Sequence, residues 1–224
     1  MVEPDSFESV EDQTGLILDF VNWCADAWDD LQLEQPRWYW MIREADATAL
    51  TVDVANYAYS YFGITSFGQW IPDYENADGD TVYNMTIYRQ DQGVAYEAPL
   101  PYMAWDLFTA TYRRGSVASN VPQAWSINPA NSEIHVGPAP NVVYMLKPRY
   151  VKGQQTRLAT NAAEPECPTR HHKLIAYLGV QRAGERESLP AEIMAGINRA
   201  VSRAKSVLDR EQNGGYSIGG EPIA

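Results

Sequence analysis

Two helical apolar stripes lie near opposite ends of this 224-residue chain, and neither can be buried by its own helix. Near the N-terminus Leu16, Phe20, Cys24, Ala27, Trp28 and Leu31 recur at three- and four-residue spacing, which predicts a helix over residues 11–33 that stops before Pro36. Near the C-terminus Ile193, Ile197, Ala200, Val201, Ala204 and Leu208 repeat in the same way behind Pro190, a good first-turn residue. A further helix is marked by Leu174, Tyr177, Leu178 and Gln181, with Thr169 as its expected N-cap and Gly184 and Ser188 at its end. Such stripes must be covered by one another. The expected partners are Leu16, Phe20, Cys24 and Leu31 against Ile193, Ile197, Val201 and Leu208.

The texture between the stripes is different. Short β-branched and aromatic runs alternate with turn formers. Strands are expected at Ala49-Leu50-Thr51-Val52, across residues 81–88, at Glu133-Ile134-His135-Val136 and at Val142-Val143-Tyr144-Met145-Leu146. Asp78-Gly79 signals a hairpin turn, and residues 137–141 are expected to join the last two strands. Residues 101–114 carry a short helical pattern through Met103, Leu107, Phe108 and Thr111. The fold class expected is α+β: a bundle of N- and C-terminal helices, an inserted β-rich domain and a flexible C-terminal tail. The expected boundaries are 1–36 for the first helix, 37–165 for the insertion, 166–212 for the returning helices and 213–224 for the tail.

Composition removes several function classes. The net charge of −12 argues against a sequence-reading nucleic-acid binder, which needs Lys and Arg to meet phosphates. The longest apolar runs fall well short of the roughly 20 residues of a membrane helix, and the acidic N-terminus is no secretory signal, so no membrane partner and synthesis in the cytoplasm are expected. Charge is unevenly spread: net −10 over residues 1–48 and net +5 over residues 145–215. That asymmetry suits an electrostatic role in assembly or in a channel, or two antiparallel helices of complementary charge. Seven Trp and fourteen Tyr fit a sugar-binding surface and a subunit interface equally well.

Chemical motifs are sparse. No phosphate-binding glycine loop, zinc-protease helix or serine-nucleophile elbow occurs. Cys24 and Cys167 read as small buried side chains, and His171 and His172 as residues of an exposed first helical turn rather than zinc ligands. The acidic loop at 73–80 lacks carboxylates at the first and twelfth positions of a calcium loop. Asn84-Met85-Thr86 is a chance match to a glycosylation site. Asp73, Glu75, Asp106 and Glu133, close in sequence to Trp70, Trp105 and Trp125, leave open a carbohydrate-binding or glycan-hydrolysing reading. No cofactor is implied.

Two further features attract attention. Arg199, Arg203 and Arg210 share one side of the last helix, too few for tight DNA binding, and the expected partner is an acidic neighbour such as the first helix of this or an adjacent subunit. The tail carries Tyr216 and Ile218 between two Gly pairs and Pro222 and Ile223 after the second, with only one charge, a pattern suited to a segment that extends over a neighbour on binding.

Pro122-Gln123-Ala124-Trp125-Ser126-Ile127 followed by Glu133-Ile134-His135-Val136-Gly137-Pro138-Ala139-Pro140 and the strand from Val142 to Tyr150 resembles the core of the head-to-tail adaptor (neck, or connector) proteins of tailed bacteriophages. Trp125 stands where that family often has Tyr, and Gly137 where a bulky apolar residue is usual. The resemblance implies a non-enzymatic virion structural protein. It would form a ring beneath the portal protein, usually a homo-dodecamer. DNA would pass through the lumen without sequence-specific binding, and tail or neck proteins would dock on the ring. It also implies that the C-terminal segment, with Tyr216, Ile218, Pro222 and Ile223, grips the portal.

Overall fold

The computed structural model describes residues 9–76 and 78–214 and is an α+β protein. In chain order the first elements are α1 (Gly15–Glu34), β1 (Ile42–Glu44), β2 (Thr48–Ala49), β3 (Asn56–Tyr57), β4 (Phe67–Trp70), β5 (Tyr74–Glu75) and β6 (Thr81–Val82). Then come β7 (Met85–Arg89), β8 (Ala98–Pro99), α2 (Trp105–Phe108), β9 (Ala124–Ile127), β10 (Ile134–Gly137), β11 (Tyr144–Lys152), α3 (His172–Arg186) and α4 (Ala191–Gly214). The chain divides into two compact units: residues up to Trp40 together with those from Gln154 onward, and Met41–Gly153.

In the helical unit, α1 starts four residues later than its periodicity predicts. Asp12 adopts a left-handed φ of 57° and Thr14 is extended, so no helix runs through residues 11–14, and α1 opens on Gly15 with φ of 61°. Only the C-terminal half of the expected stripe is deeply buried, at Ala27, Trp28 and Leu31, with Ala25 buried beside it, whereas Leu16 is 62% exposed. The helix order also differs from the expectation. α1 packs on α3, and α3 packs on α4. Two glycines explain why α3 takes the middle place. A Cβ at Gly179 would overlap Cys24 Sγ of α1, and one at Gly184 would crowd Met194 of α4. Five residues apart, they face directions roughly 140° apart around α3, so each lets a different helix come close. Val201 and Leu208 of α4 are buried as expected, but Ile193 is 51% exposed.

Residues 154–165 belong with the helices, not with the β-rich insertion. Gln155 N–H donates to Gln32 Oε1 at 2.7 Å, which gives the buried Gln32 its partner and lays this stretch along α1. Trp38, fully buried, donates Nε1–H to Leu31 O at 2.8 Å and stacks on Trp40 at 4.5 Å. Thr169 is not an N-cap: a 3-10 turn, Thr169–His171, leads into α3 without a side-chain cap. Gly184 does not end α3; the chain turns at Ser188, with φ of 51°. α4 runs to Gly214, two residues into the segment assigned to the tail.

The second unit is built on β11. This nine-residue strand pairs antiparallel with β1, β2, β4 and β7, and β8 extends the sheet beyond β7. A second sheet runs β3-β10-β9, and β5-β6 is the hairpin announced by Asp78-Gly79, where Gly79 has φ of 84°. The expected strand over 81–88 is cut into β6 and β7 at Tyr83-Asn84, and the strand expected at 49–52 shrinks to β2. β10 and β11 do not pair; they lie in different sheets. The linking stretch holds Pro138 and Pro140, which have no N–H to continue a ladder. Its carbonyls are taken instead by Asn120 N–H at Ala139 O and by Asp53 N–H at Pro140 O. Trp125, Ile134, Leu146, Met85, Leu50 and Leu100 form the core of this unit.

Candidate functional site

Much of the charge asymmetry is resolved inside the helical unit. Asp26 pairs with Arg157 and Asp30 with Arg182, while Asp19 Oδ2 lies 3.5 Å from Arg186 Nη1. Glu34 Oε1 lies 2.8 Å from Lys205 Nζ. Solvent-exposed pairs of this kind contribute roughly 0–1 kcal/mol each, so they set helix register more than they hold the fold. The acidic face of α1 is thus met by basic residues of its own chain, but not by the three arginines singled out in the sequence. Arg199, Arg203 and Arg210 are exposed and form no ion pair among the described residues; Arg210 Nε donates to Ser206 O at 3.3 Å. Tyr216, Ile218, Pro222 and Ile223 lie outside the described residues.

One surface escaped the sequence reading. Leu16, Ile17 and Leu18 at the start of α1 are all exposed. Beside them is a groove of about 260 Å³ whose walls include Leu16, Ile17, Phe20, Trp23, Val180 and Leu189, with Glu187 also lining it. The signal was present: three consecutive apolar residues in a helix exceed what a single buried stripe can use.

The C-terminal turn of α4 is fixed by a polar cluster. Glu211 Oε2 lies 2.8 Å from His171 Nε2, and Arg170 Nε donates to the same oxygen at 2.8 Å. Tyr39 Oη donates to it at 3.3 Å. The hydrogen bond with His171 holds the Glu211 carboxyl below its ordinary range, and Arg170 adds to the effect. His171 is 3% exposed, which corrects the expectation of an exposed first-turn histidine. Gln212 Oε1 accepts from Tyr39 N–H at 2.9 Å and its Nε2 donates to Arg37 O at 2.8 Å, so two successive residues of α4 grip the segment before Met41.

In the β-rich unit the carboxylates considered for glycan chemistry have structural roles or open surroundings. Asp73 accepts backbone N–H bonds from Asn84 at 2.8 Å and from Tyr102 at 2.6 Å. Burial pushes its pKa up, and the two amides act against that shift. Asn84 is itself buried, donating to Pro72 O at 3.0 Å and accepting from Arg149 Nη1 at 3.1 Å. Glu133 accepts from Asn56 Nδ2 at 3.2 Å, and Glu75 and Asp106 are exposed. His135 is buried beside the Trp105 ring, 5.0 Å between centroids, with its Nε2 3.9 Å from Glu133 and unbonded. Burial, then Arg113, lower its pKa, with Glu133 opposing. Gly137 is required by its neighbours: a Cβ there would run into the rings of Tyr112 and Phe108. Those aromatics occupy the space that a bulky apolar residue would otherwise fill.

Both cysteines are free thiols, Cys167 buried and Cys24 half-buried, and burial raises the Cys167 pKa to about 11. Among the described residues no group of three or more His, Cys, Asp and Glu could hold a metal ion, and no helix is long and apolar enough to cross a membrane. The site-like features are therefore surfaces: a basic helix face, an apolar groove and a clamped helix end. Compared with protein families, the chain matches the sequence model described as SU10 adaptor protein over residues 3–217. No curated protein matches it.

Proposed function

The chain belongs to the SU10 adaptor protein family of phage head-to-tail adaptors, and from that membership we propose that it forms a ring, twelve subunits around, beneath the portal protein. The ring extends the DNA channel, through which the genome passes without sequence-specific contact, and presents a platform on which tail or neck proteins dock. In this reading the helices are the frame of each subunit, the β-rich unit is an insertion in that frame, and the protein works without catalytic residues or cofactor. It is made in the host cytoplasm and resides in the virion neck. Tyr216, Ile218, Pro222 and Ile223 attach the subunit to the portal, and Arg199, Arg203 and Arg210 serve contacts between subunits.

The observation that carries the reading is the extent of the family match: it runs from residue 3 to residue 217 and takes in the described residues of both units. The net charge of −12 supports a conduit role, because a negative lumen repels the moving genome rather than holding it. The experiment is genetic. A phage unable to make this protein is expected to yield filled or leaking heads with no tails attached, and supplying the protein in trans restores tailed particles. Normal tailed particles without the protein would contradict the proposal.

A further inference from the structure

We propose that successive copies of this chain meet through the outward face of α4 on one copy and the acid-rimmed apolar end of the helical unit on the next. The inference rests on the ring reading above and names the surfaces that would build the ring. The first surface is basic with an apolar centre. Arg199, Arg203 and Arg210 are exposed on one face of α4, and Val207, 40% exposed, sits between Arg203 and Arg210. The second surface is apolar with an acidic rim. Leu16, Ile17 and Leu189 line the groove, and Ile193, four residues further along the chain at the start of α4, is exposed. Glu187 lines the groove and is exposed, as are Glu185 and Glu192 near it in the chain. Neither the three arginines nor these three glutamates form an ion pair among the described residues, although α1 and α3 satisfy most of their other charges internally.

The two surfaces complement each other in charge and in apolar content, and the length of α4 separates Arg203 from Glu192 within one chain. Glu192 and Arg203 are eleven residues apart on one continuous helix, about 16 Å of rise. No side-chain pairing between them can occur inside the subunit. A contact between Arg203 and Glu192 is therefore one between copies and joins unlike surfaces. A heterologous contact of that kind repeats by rotation and gives a ring where the rotation closes. The acidic groups select the partner and its register, and covering the exposed Leu16, Ile17 and Ile193 supplies the area removed from water.

Zero-length carbodiimide coupling of particles carrying Arg203→Lys tests this directly. The substitution keeps the charge and supplies an amine. The expected product joins position 203 to Glu187 or Glu192, a link too long to form within one chain. The 2.8 Å pair of Lys205 and Glu34 gives an internal control for coupling. In parallel, Arg203→Glu is expected to lower the yield of tailed particles about tenfold or more, since like charges at a contact are strongly repulsive. Adding Glu187→Arg and Glu192→Arg to the same chain is expected to restore the yield. Melting temperature checks that each variant folds. Particles that contain the protein in many copies but give the control link alone would overturn the interface and leave the adaptor reading standing. Wild-type yield from Arg203→Glu would do the same. Particles that lack the protein would overturn both.

Discussion

At Gly179 the absence of one methyl group decides how closely α1 and α3 can approach. Gly179→Ala places a carbon against Cys24 Sγ and is expected to cost about 1–3 kcal/mol, the range for overpacking a filled site. Adding Cys24→Ala removes the sulfur and should recover part of that loss, a coupling that urea denaturation of the two single variants and the double variant will reveal. His135 is the corresponding test in the β-rich unit. Its folded pKa lies below the ordinary value of 6.5, so the unfolded chain takes up the proton first as pH falls. Stability is complete above about pH 6.5 and is lost as pH drops through the folded value. His135→Phe is expected to flatten the melting temperature between about pH 7 and pH 5; an unchanged slope would mean that His135 is not the group responsible. Glu211 acts in a separate, more acidic window. Its pKa is lowered from 4.5, so its clamp on Tyr39 and His171 is complete above that pH and fails as pH falls through the folded value.

Helix order sets the outcome of the next pair of substitutions. Leu208 is fully buried, and Leu208→Asp strands a charge there, which is expected to cost several kcal/mol and abolish cooperative thermal unfolding. Ile193 belongs to the same sequence stripe but is exposed, so Ile193→Asp should leave the melting temperature within about 1–2 °C of the parent, since surface changes rarely alter stability much. A large loss from Ile193→Asp would show that the start of α4 is packed. These two residues also show what could be read in advance. Periodicity identified α1, α3 and α4 as helices because their apolar spacing is local information. Which helix lies between the others depends on Gly179 and Gly184, whose role appears only when neighbouring side chains reach them. The strands at 134–137 and 144–152 were legible as strands, but their separation into two sheets depends on bonds from Asn120 and Asp53, distant in sequence from either. For the candidate surfaces, the arginine face was legible from spacing. The apolar groove was not, because half of it comes from the end of α3 and half from the start of α1.

For the whole molecule, the family match assigns the role of head-to-tail adaptor, and the proposed ring turns that role into geometry. Each subunit must then offer two unlike side surfaces, a portal side and a tail side. Removing residues 215–224 is expected to leave the melting temperature of the subunit unchanged while sharply reducing its co-sedimentation with portal rings, because an extended segment contributes affinity mainly once it is ordered on its partner. Undiminished co-sedimentation would move portal binding to residues before 215. Cryo-electron microscopy of the particle that contains this protein tests the ring itself. The expected density is a closed ring of twelve copies directly beneath the portal, coaxial with the DNA channel and followed by tail components. Density for this chain elsewhere in the particle, or no density for it in the neck, would contradict it.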